Sequence, residues 1–238
     1  EPRTVDAAVA RAGSVLRALR RHLWEMLKDL GRTVTSREGF TGLLICLAPV
    51  GCAALTNLFT GMAPDYGASA RVVELVNGVG GGLAGAAGSL VGGLLADRMN
   101  RRLAYACAGA ATAAAALAMF AGPLTPSTYA WGTLAYGFAA GIAFATWAGM
   151  VLELVGPSAA TATKYALFNA SSNLAISYVT WLDGRASTWP LPGAVPAQRS
   201  LLFDAMLTAG GISFLVAMVV LLRRYRPEAA SEVVPARP

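Results

Sequence analysis

Histidine and cysteine are almost missing from this 238-residue chain: there is one histidine and there are three cysteines. The histidine, His22, lies outside every long apolar stretch, which excludes a His-dependent intramembrane protease. Cys46, Cys52 and Cys107 sit in apolar runs with no His or Cys partner at ligand spacing. They make neither a zinc site nor a disulfide scaffold, and no metal or other cofactor is expected. Charge is scarce too. Only 13% of residues are charged, where a soluble domain carries about 25%. Residues 1–38 hold 13 of the 32 charges and residues 223–238 hold six, leaving 13 for the 184 residues between. A water-soluble fold of that size would lack the charge to cover its surface, and at 55% hydrophobic residues disorder is excluded. The expectation is an integral all-α membrane protein.

What is present is a series of charge-free runs: Gly39–Pro64, Leu75–Ala96, Leu103–Leu152, Tyr165–Leu182 and Ala205–Leu222. A helix needs about 20 apolar residues to cross the hydrocarbon core. The run from Leu103 is long enough for two helices, split by the turn sequence Gly122-Pro123-Leu124-Thr125-Pro126-Ser127. Six transmembrane helices are therefore expected, near 40–62, 69–97, 103–121, 128–154, 158–182 and 200–223. The runs lack the two-residue alternation of β-barrel strands.

Lys and Arg set the expected orientation. With six spans, both termini share a side with the second and fourth connections. That side collects 16 basic residues, among them Arg98, Arg101, Arg102 and Lys164; the opposite side has Arg71, Arg185 and Arg199. Both ends of the chain are expected to be cytoplasmic, and the net charge of +6 reflects topology rather than nucleic-acid binding. Within residues 1–38, Leu16, Leu19, Leu23, Met26, Leu27 and Leu30 recur at helical spacing with Arg17, Arg20, Arg21 and Lys28 between them. The pattern suits a helix on the cytoplasmic membrane surface or one packed on the bundle. The expected organisation is a linker with this helix (1–38), a six-helix bundle (39–224) and a disordered tail (225–238), the whole a piece of a longer polypeptide.

The most specific motif joins the second and third expected helices: Gly93-Leu94-Leu95-Ala96-Asp97-Arg98-Met99-Asn100-Arg101-Arg102. It resembles the loop signature of the major facilitator superfamily, with Asn100 where the second glycine would stand. Asn tolerates the left-handed conformation a tight turn demands. Asp97 is suited to capping a helix N-terminus, and the arginines to reaching Glu153 at the end of the fourth helix. In that family such a cluster latches the cytoplasmic side. The gating set is then Gly93, Asp97, Arg98, Arg101, Arg102 and Glu153. A plain positive-inside loop is the alternative.

The resemblance covers about residues 10–224 and implies the second half, helices 7 to 12, of a twelve-helix transporter. Its partners would be an N-terminal six-helix half, the lipid bilayer, a small solute and a coupling proton, in a bacterial inner membrane. The least polar helices are the third and sixth, which the family places outside. Thr163-Lys164-Tyr165-Ala166-Leu167-Phe168-Asn169-Ala170-Ser171-Ser172-Asn173 looks like the corresponding helix of muropeptide permeases and acetyl-CoA transporters, implying a bulky anionic or sugar-containing solute.

Polar groups at membrane depth are costly unless buried or facing a cavity, so they are the candidates for the solute pathway. They are Asn57 beyond Pro49, Asn77, Tyr136, Trp147, and Tyr165, Asn169 and Asn173 at four-residue steps on one face. Each has interhelical hydrogen bonding as its structural alternative, and Tyr129, on the same stripe as Tyr136, suits an interfacial belt. Lys164 reads as a positive-inside anchor. Proton coupling would use a carboxylate, and Glu74 and Asp204 are the candidates, both toward the outer ends of their helices. Asp183-Gly184-Arg185 reads as isolated. The glycine series Gly78, Gly81, Gly85, Gly88 and Gly92 allows close helix approach, static or sliding. The rival readings are a homodimeric six-helix pore or half-transporter and, more remotely, an intramembrane enzyme.

Overall fold

The computed structural model describes residues 20–157 and 160–224, and these are helical without strands. The expected tail and residues 1–19 of the linker lie outside the described residues. Helix α1 covers 20–35, followed by α2 (Arg37–Leu47), α3 (Ala70–Arg98), α4 (Arg101–Ala121), α5 (Pro126–Val155), α6 (Thr161–Ala186) and α7 (Pro196–Arg224). Four of these are long and apolar enough to cross a membrane: Ala70–Arg98, Arg101–Ala121, Pro126–Val155 and Pro196–Leu221.

The sequence punctuates these helices by identifiable means. Thr125 accepts from Thr128 N at 3.3 Å, with Pro126 in the first turn of α5, where a missing N–H costs nothing. Asp65 Oδ2 accepts from Ala197 N at 2.8 Å and so caps α7 from a distant part of the chain. Asn100 caps α4, its Oδ1 accepting from Arg102 N and Leu103 N at 3.1 and 3.3 Å. Its φ of −57° is not left-handed: the position is filled by a cap rather than by a substitute glycine.

The expected single helix over 40–62 is broken. Pro49 lacks an N–H and disfavours helical backbone before it, and Ala48 is extended at φ −71°, ψ 145°. Gly51 and Ala53 follow with φ of 57° and 54°. The chain then continues as short turns, Ala54–Asn57, Phe59–Met62 and Ala63–Tyr66. A break leaves carbonyls without helical partners, and α6 supplies several of the missing donors. Ser172 Oγ donates to Cys46 O at 3.4 Å, Tyr178 Oη to Leu47 O at 2.7 Å and Thr180 Oγ1 to Ala54 O at 3.5 Å. Tyr105 of α4 donates to Val50 O. These donors make α6 more polar than the four apolar helices.

The largest helix interface joins α3 and α5, and it rests on glycine. A Cβ at Gly88 would lie 2.0 Å from Phe138 O, at Gly92 2.6 Å from Ile142 O, and at Gly141 2.1 Å from Gly85 O. Only backbones without side chains approach that closely. Higher on α3, Gly78 meets nothing and marks a kink, with φ −88° and ψ −107°. The chain's other elements bury 17% of the apolar window of α3 and 50% of that of α4.

The bundle has two chemically distinct ends. One is tied by Arg37 Nη2 donating to Leu221 O (3.5 Å), Arg101 to Glu153 (3.6 Å) and Lys164 to Asp29 (2.9 Å). The other is tied by Tyr66 Oη to Met119 O (3.0 Å), Gln198 Nε2 to Phe120 O (3.0 Å) and Arg199 Nη1 to Ser187 O (3.2 Å). The first end gathers the bulk of the basic residues.

Candidate functional site

A cavity of about 150 Å³ opens beside the irregular segment that follows α2. Its wall includes the irregular segment Gly51–Ala53, Ala143 and Trp147 of α5, and Asn169, Ser172 and Asn173 of α6. The non-helical backbone of this segment is covered by donors from α4 and α6 and adjoins the cavity. Gly51 has its positive φ here, and a Cβ on it would come within 2.8 Å of Ala143 Cβ. Cys46 and Cys52 also line the space.

The seven expected pathway residues divide by their hydrogen bonds. Asn169, Asn173 and Trp147 line the cavity, and the Tyr165 ring packs edge-on against Trp147 at 5.9 Å. The Asn169 and Asn173 amides make no hydrogen bond to any described residue, and the buried Trp147 Nε1 has no hydrogen-bond partner among the described residues. Asn57 and Asn77 lie elsewhere. Asn57 donates to Thr180 Oγ1 at 3.1 Å, and Asn77 donates to Thr60 Oγ1 and Tyr129 Oη at 3.2 and 3.1 Å. These two make the interhelical bonds of the structural alternative. Tyr129 is not an interfacial belt residue; it is fully buried and its hydroxyl donates to Phe59 O at 3.2 Å.

The loop motif is partly assembled. Arg101 bridges α4 to α5, donating to Gly149 O at 3.2 Å and pairing with Glu153, and both side chains stay substantially exposed. Asp97 is exposed and caps no helix among the described residues. No hydrogen bond or ion pair within the described residues joins the side chain of Arg98 or Arg102 to Glu153, and a Cβ on Gly93 would meet open space. Lys164 is more than an exposed anchor, being 7% exposed and paired with Asp29 of α1. That pair packs the surface helix onto the bundle, while Leu23, Trp24 and Leu27 remain exposed.

Toward the opposite end the structure assembles a group that the sequence reading separates. Asp204 of α7 is 2% exposed and accepts from Tyr136 Oη at 3.2 Å. Asp183 of α6 is fully buried, and its backbone oxygen accepts from Ser200 Oγ at 2.7 Å, one turn before Asp204 on α7, which brings the two acids together. Asp183 is therefore not isolated. Glu74, the other coupling candidate, is exposed on α3 and takes no part. Spacing along one helix gives no signal for such a pair; the only clue is that two of the few acids between residues 39 and 222 lie on either side of one connection. The chain matches no family model and no curated protein, so the functional reading rests on this geometry.

Proposed function

We propose that the chain is the second six-helix half of a secondary transporter of major facilitator type, moving a small solute by alternating access. The observation that supports this best is the cavity beside the broken passage, with two unpaired amides facing it. Transporters place solute sites near the bilayer midplane, at discontinuous helices. Asn169 stands eight residues into α6, about 12 Å along it at 1.5 Å per residue, and Asn173 is about 18 Å along. Both depths fall in the middle part of a core about 30 Å thick. On this reading the broken passage and the polar α6 cross the membrane with the four apolar helices, giving six spans. The basic end faces the cytoplasm, as positive-inside bias requires, and α3, thinly covered by its own chain, meets lipid and an N-terminal half. The Arg101–Glu153 bridge belongs to a cytoplasmic latch whose strength changes as the halves rock.

An amide offers both donor and acceptor, which suits a solute carrying hydroxyl or acyl-amide groups, as in the muropeptide and acetyl-CoA carriers that the α6 sequence resembles. The test uses single-cysteine variants Asn169→Cys and Asn173→Cys of the full-length protein in liposomes, with Cys46, Cys52 and Cys107 replaced by alanine. Both sites should react with a water-soluble maleimide, and a transported muropeptide or acyl-CoA should slow the reaction. Failure of both sites to label from either face would remove the cavity from any solute pathway.

A further inference from the structure

We propose that Asp183 and Asp204 form a proton site, one exchangeable proton being shared between the two carboxyls in this conformation. The first support is a donor count. Asp204 has one protein donor, Tyr136 Oη, whereas neither oxygen of Asp183 has any hydrogen-bond partner among the described residues. A fully buried carboxyl without a donor is costly, and the group brought beside it by the Ser200 contact is another carboxyl, which is donor-free unless protonated. A proton between them supplies the missing O–H donor and makes a strong charge-assisted bond.

The second support is the absence, among the described residues, of a counter-cation in the packing around the pair. α5 contributes Tyr136 and, one turn away, Thr133, whose buried Oγ1 also has no partner among the described residues. α7 contributes Ser200, whose hydroxyl is committed to Asp183 O at 2.7 Å. The nearest arginines in sequence are engaged elsewhere: Arg185 is exposed and packs over the Trp181 ring at 5.8 Å, and Arg199 donates to Ala194 O and Ser187 O. Two buried carboxylates with no cation would carry an uncompensated desolvation cost. A calcium or magnesium ion fits poorly, because two carboxyls and a phenol fall short of the six or more oxygens such ions take. Among the described residues no three His, Cys, Asp or Glu side chains group to hold one.

Exchange has a short route. Asp183 stands three residues before the end of α6, about 4.5 Å from it. The proton would arrive from hydronium and return to water whenever α6 and α7 part at that end. The inference does not depend on the transport reading; if the chain does transport, this proton is the coupling ion.

The test is infrared spectroscopy of the full-length protein in lipid nanodiscs, labelled with 13C-aspartate so that its carboxyl bands separate from lipid esters. At neutral pH the wild type should show a protonated-carboxyl C=O band that shifts in D2O. Asp183→Asn and Asp204→Asn should each lose it, and Tyr136→Phe, which keeps both acids, should move its frequency. A wild type without the band, or a band that persists in both Asn variants, would overturn the proposal. So would a band that develops only when sodium is withdrawn, which would make sodium the occupant. Should the Asn variants fail to fold, the wild type and Tyr136→Phe still decide. No solute is needed, so loss of this proposal and loss of the transport reading are separate results.

Discussion

Asn169 and Asn57 carry the same amide, yet their surroundings assign them different work. Asn57 is held by Thr180 and Asn77 by Thr60 and Tyr129, whereas Asn169 and Asn173 face the cavity with no partner among the described residues. Asn57→Ala and Asn77→Ala should each lower thermal stability by about 0.6 kcal/mol, the mean for such bonds in membrane bundles, with solute affinity unchanged. Asn169→Ala and Asn173→Ala should do the reverse, keeping stability while uptake weakens. Thermal melts and uptake assays on the four variants make the comparison, and equal stability losses in all four would make the cavity face scaffold. Glu153 poses a similar question. Its pair with Arg101 is solvent-exposed, so Glu153→Gln should cost about 0–1 kcal/mol of stability while altering the uptake rate. Unaltered uptake would leave the bridge no part in gating.

At the scale of elements, two devices hold the bundle. One is the glycine contact of α3 with α5. A Cβ at Gly88 would overlap the Phe138 carbonyl, which is backbone and has no side-chain freedom to yield, while Gly82 faces open space. Gly88→Ala should destabilise by about 1–3 kcal/mol, the usual cost of overpacking. Gly82→Ala should stay within about 1 kcal/mol of wild type. Thermal unfolding in detergent distinguishes them, and equal effects would show that the two helices do not meet through Gly88. The second device is the set of α6 donors that satisfy the broken passage. Tyr178→Phe removes the donor to the partly buried Leu47 O and should cost about 0.5–1.5 kcal/mol, the net worth of an intramolecular hydrogen bond. A melting temperature unchanged from wild type would mean that water replaces the phenol there.

Across the whole molecule, charge is sorted by end. Arg37, Arg101 and Lys164 make their contacts at one end, and Arg199 makes its own at the other. Cysteines at positions 101 and 193 therefore lie at opposite ends. In intact cells an impermeant thiol reagent should label Gly193→Cys and spare Arg101→Cys. The reverse pattern would invert the proposed orientation, and labelling of both would show that the two ends are not separated by a membrane.

The amino-acid sequence by itself determined the helical class and the bounds of α3, α4 and α5 to within a few residues, because these depend on local composition, caps and turns. The runs free of charge, the turn at Gly122–Ser127 and the basic residues of the 98–102 loop are all legible one window at a time. The break in the first passage was only half legible. Pro49 announces a disturbance, but whether it becomes a kink or an open segment depends on donors from α4 and α6, which are more than 50 residues away in sequence. The division of the asparagines has the same origin, since an amide's partner on another helix leaves no trace in its own. The Asp183–Asp204 pair is the extreme case. Each acid alone looks like a residue near a helix end, and only the packing of α6 against α7 and α5 buries both and brings them together. Local pattern sets where helices form, and tertiary packing sets which polar groups are left without partners.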